Sequence, residues 1–125
     1  MIARLDTFAR LNEGYLTFLK ALQAEGFEGE IAPDYANRTV LATDNSIYQR
    51  LPQAAVFPKH AKDLQRLAKL AAKLPHRDIV LTPRGGGTGT NGQSLTAGIV
   101  VDVSRHMHQV LEIDAEHRRV RVQAG

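Results

Sequence analysis

Apolar positions in the first 25 residues recur at helical spacing, with Phe8, Leu11, Tyr15, Leu16, Leu19 and Leu22 near one face. Asn12 and Gly14 are the points at which such a helix would divide, and Gly26 stands where a C-terminal cap belongs. From Phe27 to Leu51 the pattern loses its period. Pro33 and Asp34 predict a turn there, and Thr39 to Thr43 predict a short strand. Ala54-Ala55-Val56-Phe57 is a short buried-strand signature stopped by Pro58. A helix follows with Leu64, Leu67, Ala68, Ala71 and Leu74 on its apolar stripe and Lys62, Arg66, Lys69 and Lys73 mostly off it, and Pro75 stops it. Asp78 to Thr82 predicts a second strand, parallel to the first, so residues 54–82 read as strand–helix–strand. Gly98 to Val103 predicts a third strand, and Val110 to Ile113 with Val120 to Val122 a hairpin turning through Asp114 to His117. The fold class is α/β (α+β), with a small mixed sheet.

Between the second and third strands lies Pro83-Arg84-Gly85-Gly86-Gly87-Thr88-Gly89-Thr90-Asn91-Gly92-Gln93-Ser94, which holds five of the chain's ten glycines. A tight turn needs one or two glycines. Five within eight residues let a backbone take left-handed conformations and let a ligand approach closely. Successive N–H groups in such a loop bind phosphate oxygens well. Two nucleotide-binding templates nearly fit. Gly87 to Gly92 spells G-x-G-x-x-G, but only about five residues separate Gly92 from the next strand, too few for the helix that fingerprint requires. Continued through Gln93-Ser94, the run matches a P-loop except that Gln93 replaces the lysine that reaches the β- and γ-phosphates. What remains is a long strand–loop–strand anion cradle with no helix behind it.

Of 125 residues, 43% are hydrophobic and 23% charged, the balance of one globular unit with a real core. No apolar run approaches the roughly 20 residues that span a bilayer, and charges interrupt the start where a signal peptide needs an apolar stretch. The absence of cysteine excludes disulfides, thiolate nucleophiles, thiolate zinc and cysteine-ligated clusters within this sequence, and makes the cytoplasm the default location. The net charge of +3 comes from residues 59–84, which carry seven basic and two acidic groups. Those basic residues lie mostly on one helix's polar face without interleaved aromatics, which argues for a solvated surface over nucleic acid.

Val56-Phe57-Pro58, the amphipathic helix and Thr82-Pro83-Arg84-Gly85-Gly86-Gly87-Thr88-Gly89 resemble the FAD-binding domain of the vanillyl-alcohol-oxidase / p-cresol-methylhydroxylase (PCMH) type. Thr43 to Tyr48, Arg84 to Gln93 and Val101 to Met107 resemble the D-2-hydroxyglutarate, D-lactate and glycolate dehydrogenase group, closest to large bacterial members with a C-terminal iron–sulfur domain. The resemblance implies an N-terminal helical and irregular segment over residues 1–50 and the first part of a PCMH-type domain over 51–125. It implies that Gly85, Gly86, Gly87, Thr88 and Gly89 cradle the FAD pyrophosphate, with Thr90, Asn91, Gln93 and Ser94 as further contacts. Pro83 would fix the loop's entry, and Arg84 would support the loop or offset phosphate charge. Thr88 stands where some members carry a flavin-linked histidine, so FAD is expected to bind non-covalently.

The same resemblance makes the chain the N-terminal piece of a larger FAD-dependent oxidoreductase that converts a D-2-hydroxy acid to a 2-oxo acid. Any iron–sulfur cluster, the substrate-side groups and the second half of the flavin pocket would then lie downstream, and the isolated piece is expected to self-associate. A stand-alone phosphate- or nucleotide-binding module without chemistry is the alternative. No residue has the setting of an acid, base or nucleophile. His106 and His108 share a face if they lie on a strand, but nothing nearby completes a metal site. Asp44, Asn45 and Ser46 read as a turn or cap, His60 and Asp63 as a helix start, and Phe57 and Tyr48 as core. Lys59 and Asp102 read as solvated or locally paired.

Overall fold

The computed structural model describes residues 10–125; the expected contribution of Phe8 to the first helix lies outside them. Helix α1 spans Glu13–Ala24. Asn12 starts it as the N-cap, its side chain accepting from the Gly14 amide at 2.9 Å. Gly26, at φ +80°, ends it. The Phe27 amide reaches back to the Leu22 carbonyl and that of Gly26 to the Gln23 carbonyl, which closes a Schellman cap. Phe18, Leu19 and Leu22 are the buried residues of α1. Leu16 faces outward, while Phe18, absent from the expected stripe, is fully buried with its ring edge-on to His76.

Strand β1 (Glu30–Ala32) and helix α2 (Tyr35–Val40) follow. Here the strand expected at Thr39 to Thr43 gives way to a helix. Asp34 caps it by accepting from the Asn37 amide at 3.0 Å and the Asn37 side chain at 2.8 Å, and Thr39 Oγ1 donates back to the Tyr35 carbonyl. Local capping overrides the β-branched preference of Thr39 and Val40.

Strand β2 (Ala54–Phe57), helix α3 (Ala61–Ala71), a 3₁₀ turn at Leu74–His76, β3 (Leu81–Arg84) and β4 (Ile99–Asp102) complete the main layer. The four-stranded sheet runs β1-β2-β4-β3, with β2, β4 and β3 parallel and β1 antiparallel at one edge. The expected strand–helix–strand unit is therefore present, with β4 inserted between its two strands. Both central strands are buried throughout because the sheet is covered on both faces. Ala54, Val56, Ile99 and Val101 meet α1 and α3, while Ala55, Phe57 and Val100 pack with Ala32 and Leu41 on the other side.

Three boundaries differ from expectation. Leu70, not Leu74, joins Leu67 in the buried face of α3, and Leu74 projects from the 3₁₀ turn at 77% exposure. Strand β3 begins at Leu81 rather than Asp78, because its start is set by pairing with Ile99 of β4. It runs through Pro83 to Arg84. The Ile99 amide donates to Val80 and that of Val103 to Arg84, so the even-numbered residues of β3 carry the ladder. Pro83 sits between them on an edge strand, where no N–H is needed. Strands β5 (Val110–Asp114) and β6 (Arg119–Val122) pair as a separate two-stranded hairpin, as the sequence pattern predicts.

Candidate functional site

The glycine-rich segment leaves the carboxyl end of β3 and returns to the start of β4, the end of a parallel layer where open α/β sheets bind ligands. Gly87 and Gly92 have φ of +68° and +72°, conformations that L side chains rarely adopt. The amides from Gly85 to Thr90 donate to no acceptor among the described residues. Six successive N–H donors are thus left for a ligand or water, in a segment where most side chains are absent or small. Gly86 is exposed, and a Cβ built on it would meet nothing nearer than Thr88 Cγ2 at 3.7 Å. The fold therefore leaves room there that its own packing does not use. Donors of this kind, unobstructed by side chains, fit the oxygens of a diphosphate.

The back of the loop is built from residues far apart in sequence. A Cβ on Gly87 would lie 2.3 Å from Arg84 Nη2, so the guanidinium packs where a side chain would be. Arg84 Nη1 donates to Ser94 Oγ at 3.5 Å, and Ser94 Oγ donates to Asp44 Oδ2 at 3.4 Å, both long contacts around a buried serine. Next to Asp44, the Asn45 amide donates to the Gly87 carbonyl at 3.1 Å. Asp44 itself accepts from the Ser46 amide at 2.8 Å, forming the turn expected of this cluster. The Ser46 hydroxyl above all, with the Ser46 amide, Ser94 and the charge of Arg84, holds the Asp44 carboxyl below the usual range.

Of the residues expected at the site, Gly85 to Gln93 line the open course of the loop, with Gln93 turned back to accept from the Asn91 amide. Arg84 and Ser94 sit behind it, and Pro83 is an exposed position of β3. The sequence pattern treats Asp44 and Asn45 as an ordinary turn, and their contact with the loop is visible only in the fold. Tyr48 is not core: it is 57% exposed, its Cδ2 3.2 Å from the Cβ position of Gly92. At the loop's entry the Ala124 carbonyl lies 4.0 Å from the Cβ position of Gly85. Gly125 packs so closely on β4's end that its own Cβ position is 2.3 Å from the Val103 carbonyl.

Other polar clusters serve the scaffold. His106 contacts Glu30 at 2.7 Å and His108 Nδ1 contacts the Ser104 carbonyl; both lie outside strands, so the alternation of a strand does not pair them. Asp102 accepts from the amide and hydroxyl of Ser104. Glu28, His60 and Asp63 come within 4.8 Å of one another, but Arg66 Nη1 donates to both carboxylates at 3.1 and 2.9 Å. This cluster is an ion-pair knot between the chain before β1 and the start of α3.

The chain belongs to the FAD binding domain family, whose model matches residues 52–125. The resemblance drawn from the glycine loop is borne out at this level. Over all 125 residues the chain is 64% identical to D-2-hydroxyglutarate dehydrogenase of Pseudomonas putida and 53% identical to that of Pantoea ananatis. It spans 12% of the length of each. Among solved structures, an alkyldihydroxyacetonephosphate synthase superposes with a TM-score of 0.69 at 21% identity, covering 90% of this chain and 25% of that one. At that identity the likeness concerns the fold alone, and it agrees with the expected mixed α/β architecture. Among the described residues, no helix is long and apolar enough to cross a membrane.

Proposed function

We propose that this chain supplies the pyrophosphate-holding part of a larger FAD-dependent dehydrogenase acting on a D-2-hydroxy acid, with D-2-hydroxyglutarate the favoured substrate. The observation that carries the reading is the 64% identity, along the whole chain, to a D-2-hydroxyglutarate dehydrogenase. The free amides of Gly85 to Thr90 support the cofactor half of it. In this reading Gly85, Gly86, Gly87, Thr88, Gly89 and Thr90 bind the diphosphate through the backbone, with Asn91 and Gln93 at its margin. Pro83 directs the loop's entry, and Arg84 and Ser94 act from behind. Residues 51–125 form the first part of the FAD domain, and residues 1–50 precede it. FAD is held non-covalently, and the protein works in the cytoplasm. When bound, FAD supplies the two-electron acceptor that turns the α-hydroxy carbon of the substrate into a ketone. This chain's residues bind and orient it; the groups that act on substrate lie elsewhere in the protein.

Gly86 gives the sharpest test because the fold tolerates a side chain there. In the full-length enzyme, Gly86→Val is expected to leave the melting of apoprotein unchanged while FAD affinity falls by about one to three orders of magnitude, through steric exclusion and lost charge-assisted hydrogen bonds. Titration of apoprotein with FAD, followed by flavin fluorescence, reads this directly. Affinity equal to wild type would sink the assignment of the loop.

A further inference from the structure

We propose that Asp44 is a positioning residue for the flavin diphosphate, holding Arg84 behind the glycine loop and the loop in its open shape. The inference rests on the reading of that loop as the diphosphate cradle. It concerns a segment outside the family-matched residues 52–125 and some 40 positions upstream of the loop.

Two connections from neighbouring residues reach the same turn. Asn45 grips the Gly87 carbonyl through its amide at 3.1 Å, and Asp44 reaches the Arg84 guanidinium through the buried Ser94 hydroxyl. That guanidinium fills the space beside Gly87 that a side chain would occupy. The donor order is consistent along the chain: Arg84 donates to Ser94, and Ser94 donates to an ionised carboxylate. The Asp44 rotamer is in turn held by the Ser46 amide. A carboxylate beside an anion-binding loop would repel a diphosphate if it stood alone. Here it faces the Arg84 guanidinium packed under the loop, so the two charges offset each other and the anion is left to the neutral backbone donors.

The opposite arrangement, in which Arg84 reaches around to grip the diphosphate, predicts the opposite sign. If Asp44 merely restrained a useful cation, Asp44→Asn would tighten FAD binding. If Asp44 positions the loop, Asp44→Asn loosens it. The experiment compares full-length wild type, Asp44→Asn, Ser94→Ala, Arg84→Met and the Asp44→Asn/Arg84→Met double variant. FAD dissociation constants are measured alongside hydrogen–deuterium exchange of the apoprotein peptide that covers Asp44 to Tyr48, in which the Asn45 amide is bonded to the Gly87 carbonyl and the Ser46 amide to Asp44. We expect Asp44→Asn to weaken FAD by about tenfold, the scale of one lost charge-assisted contact. Ser94→Ala should follow in the same direction, and the double variant should be no worse than the weaker single one, because all act through one chain of contacts. Exchange of that peptide should rise while that of β2 and α3 stays constant. Tighter FAD binding in Asp44→Asn, additive losses in the double variant, or unchanged exchange of the Asp44 to Tyr48 peptide would each overturn the inference. Wild-type protein that binds no FAD would instead refute the reading of the loop, and the exchange arm would still decide whether Asp44 anchors it.

Discussion

Replacing Asp63 by alanine removes the acceptor on which the start of α3 is built. The side chain is fully buried. Its Oδ1 accepts from the Glu28 amide at 3.0 Å and from Arg66 Nη1 at 2.9 Å, and its Oδ2 accepts from the Lys59 amide at 3.0 Å. It thus ties the chain before β1 to the turn between β2 and α3, rather than only interacting with the helix dipole as its first-turn position suggests. Truncation strands two partly buried backbone donors, at about 1–3 kcal/mol each. A loss of about 2–6 kcal/mol is expected, a large share of the roughly 5–15 kcal/mol that holds a domain together. Asp63→Asn keeps the shape and one acceptor oxygen, so about half that loss is expected. Urea unfolding followed by far-UV circular dichroism at neutral pH measures both. A midpoint for Asp63→Ala within experimental error of wild type would refute this account. The pH dependence supplies a second check. Burial pushes the Asp63 carboxyl up, but the amides of Glu28 and Lys59 and the Arg66 guanidinium outweigh it and hold the group below the usual range. A carboxylate lowered on folding stabilises fully above its unfolded value, about pH 4, and loses that contribution as pH falls through the lowered folded value. The gap between wild type and Asp63→Ala should therefore narrow in acid.

Gly98→Ala places a Cβ 2.3 Å from the Val80 carbonyl, between two backbones locked by the Ile99–Val80 and Gln53–Gly98 hydrogen bonds. Overpacking of this kind costs about 1–3 kcal/mol, and a wild-type urea midpoint would show that the strands can part without penalty. The β5–β6 hairpin exposes its cross-strand pair Ile113 and Val120 at 73% and 59%. Self-association of the isolated 125-residue chain through this surface is expected, and Ile113→Lys should lower its average mass in light scattering across a concentration series. Equal masses for the two chains would remove the hairpin from consideration.

The periodic and punctuated parts of this chain are legible without a structure. Helix α1 with Gly26 at its end, the run Ala54 to Phe57, the stripe through Leu64 and Leu67, and the hairpin all follow from side-chain period and from residues whose backbone preferences are strong. The glycine loop is legible for the same reason: five glycines in eight residues have few structural uses, and a missing helix excludes the common nucleotide templates. Tertiary structure decided what depends on partners distant in sequence. The start of β3 is set by Ile99 and not by its own apolar run. Thr39 and Val40 join a helix because Asp34 caps it, and Tyr48 leaves the core because the segment around it lies against the loop. Asp44 and Asn45 look like any polar turn until folding brings them to Gly87, Ser94 and Arg84. Local sequence encodes dihedral preference and facial polarity. Which charge meets which, and which amides are left without a partner, is determined only when strands and loops from 40 residues apart close on one another.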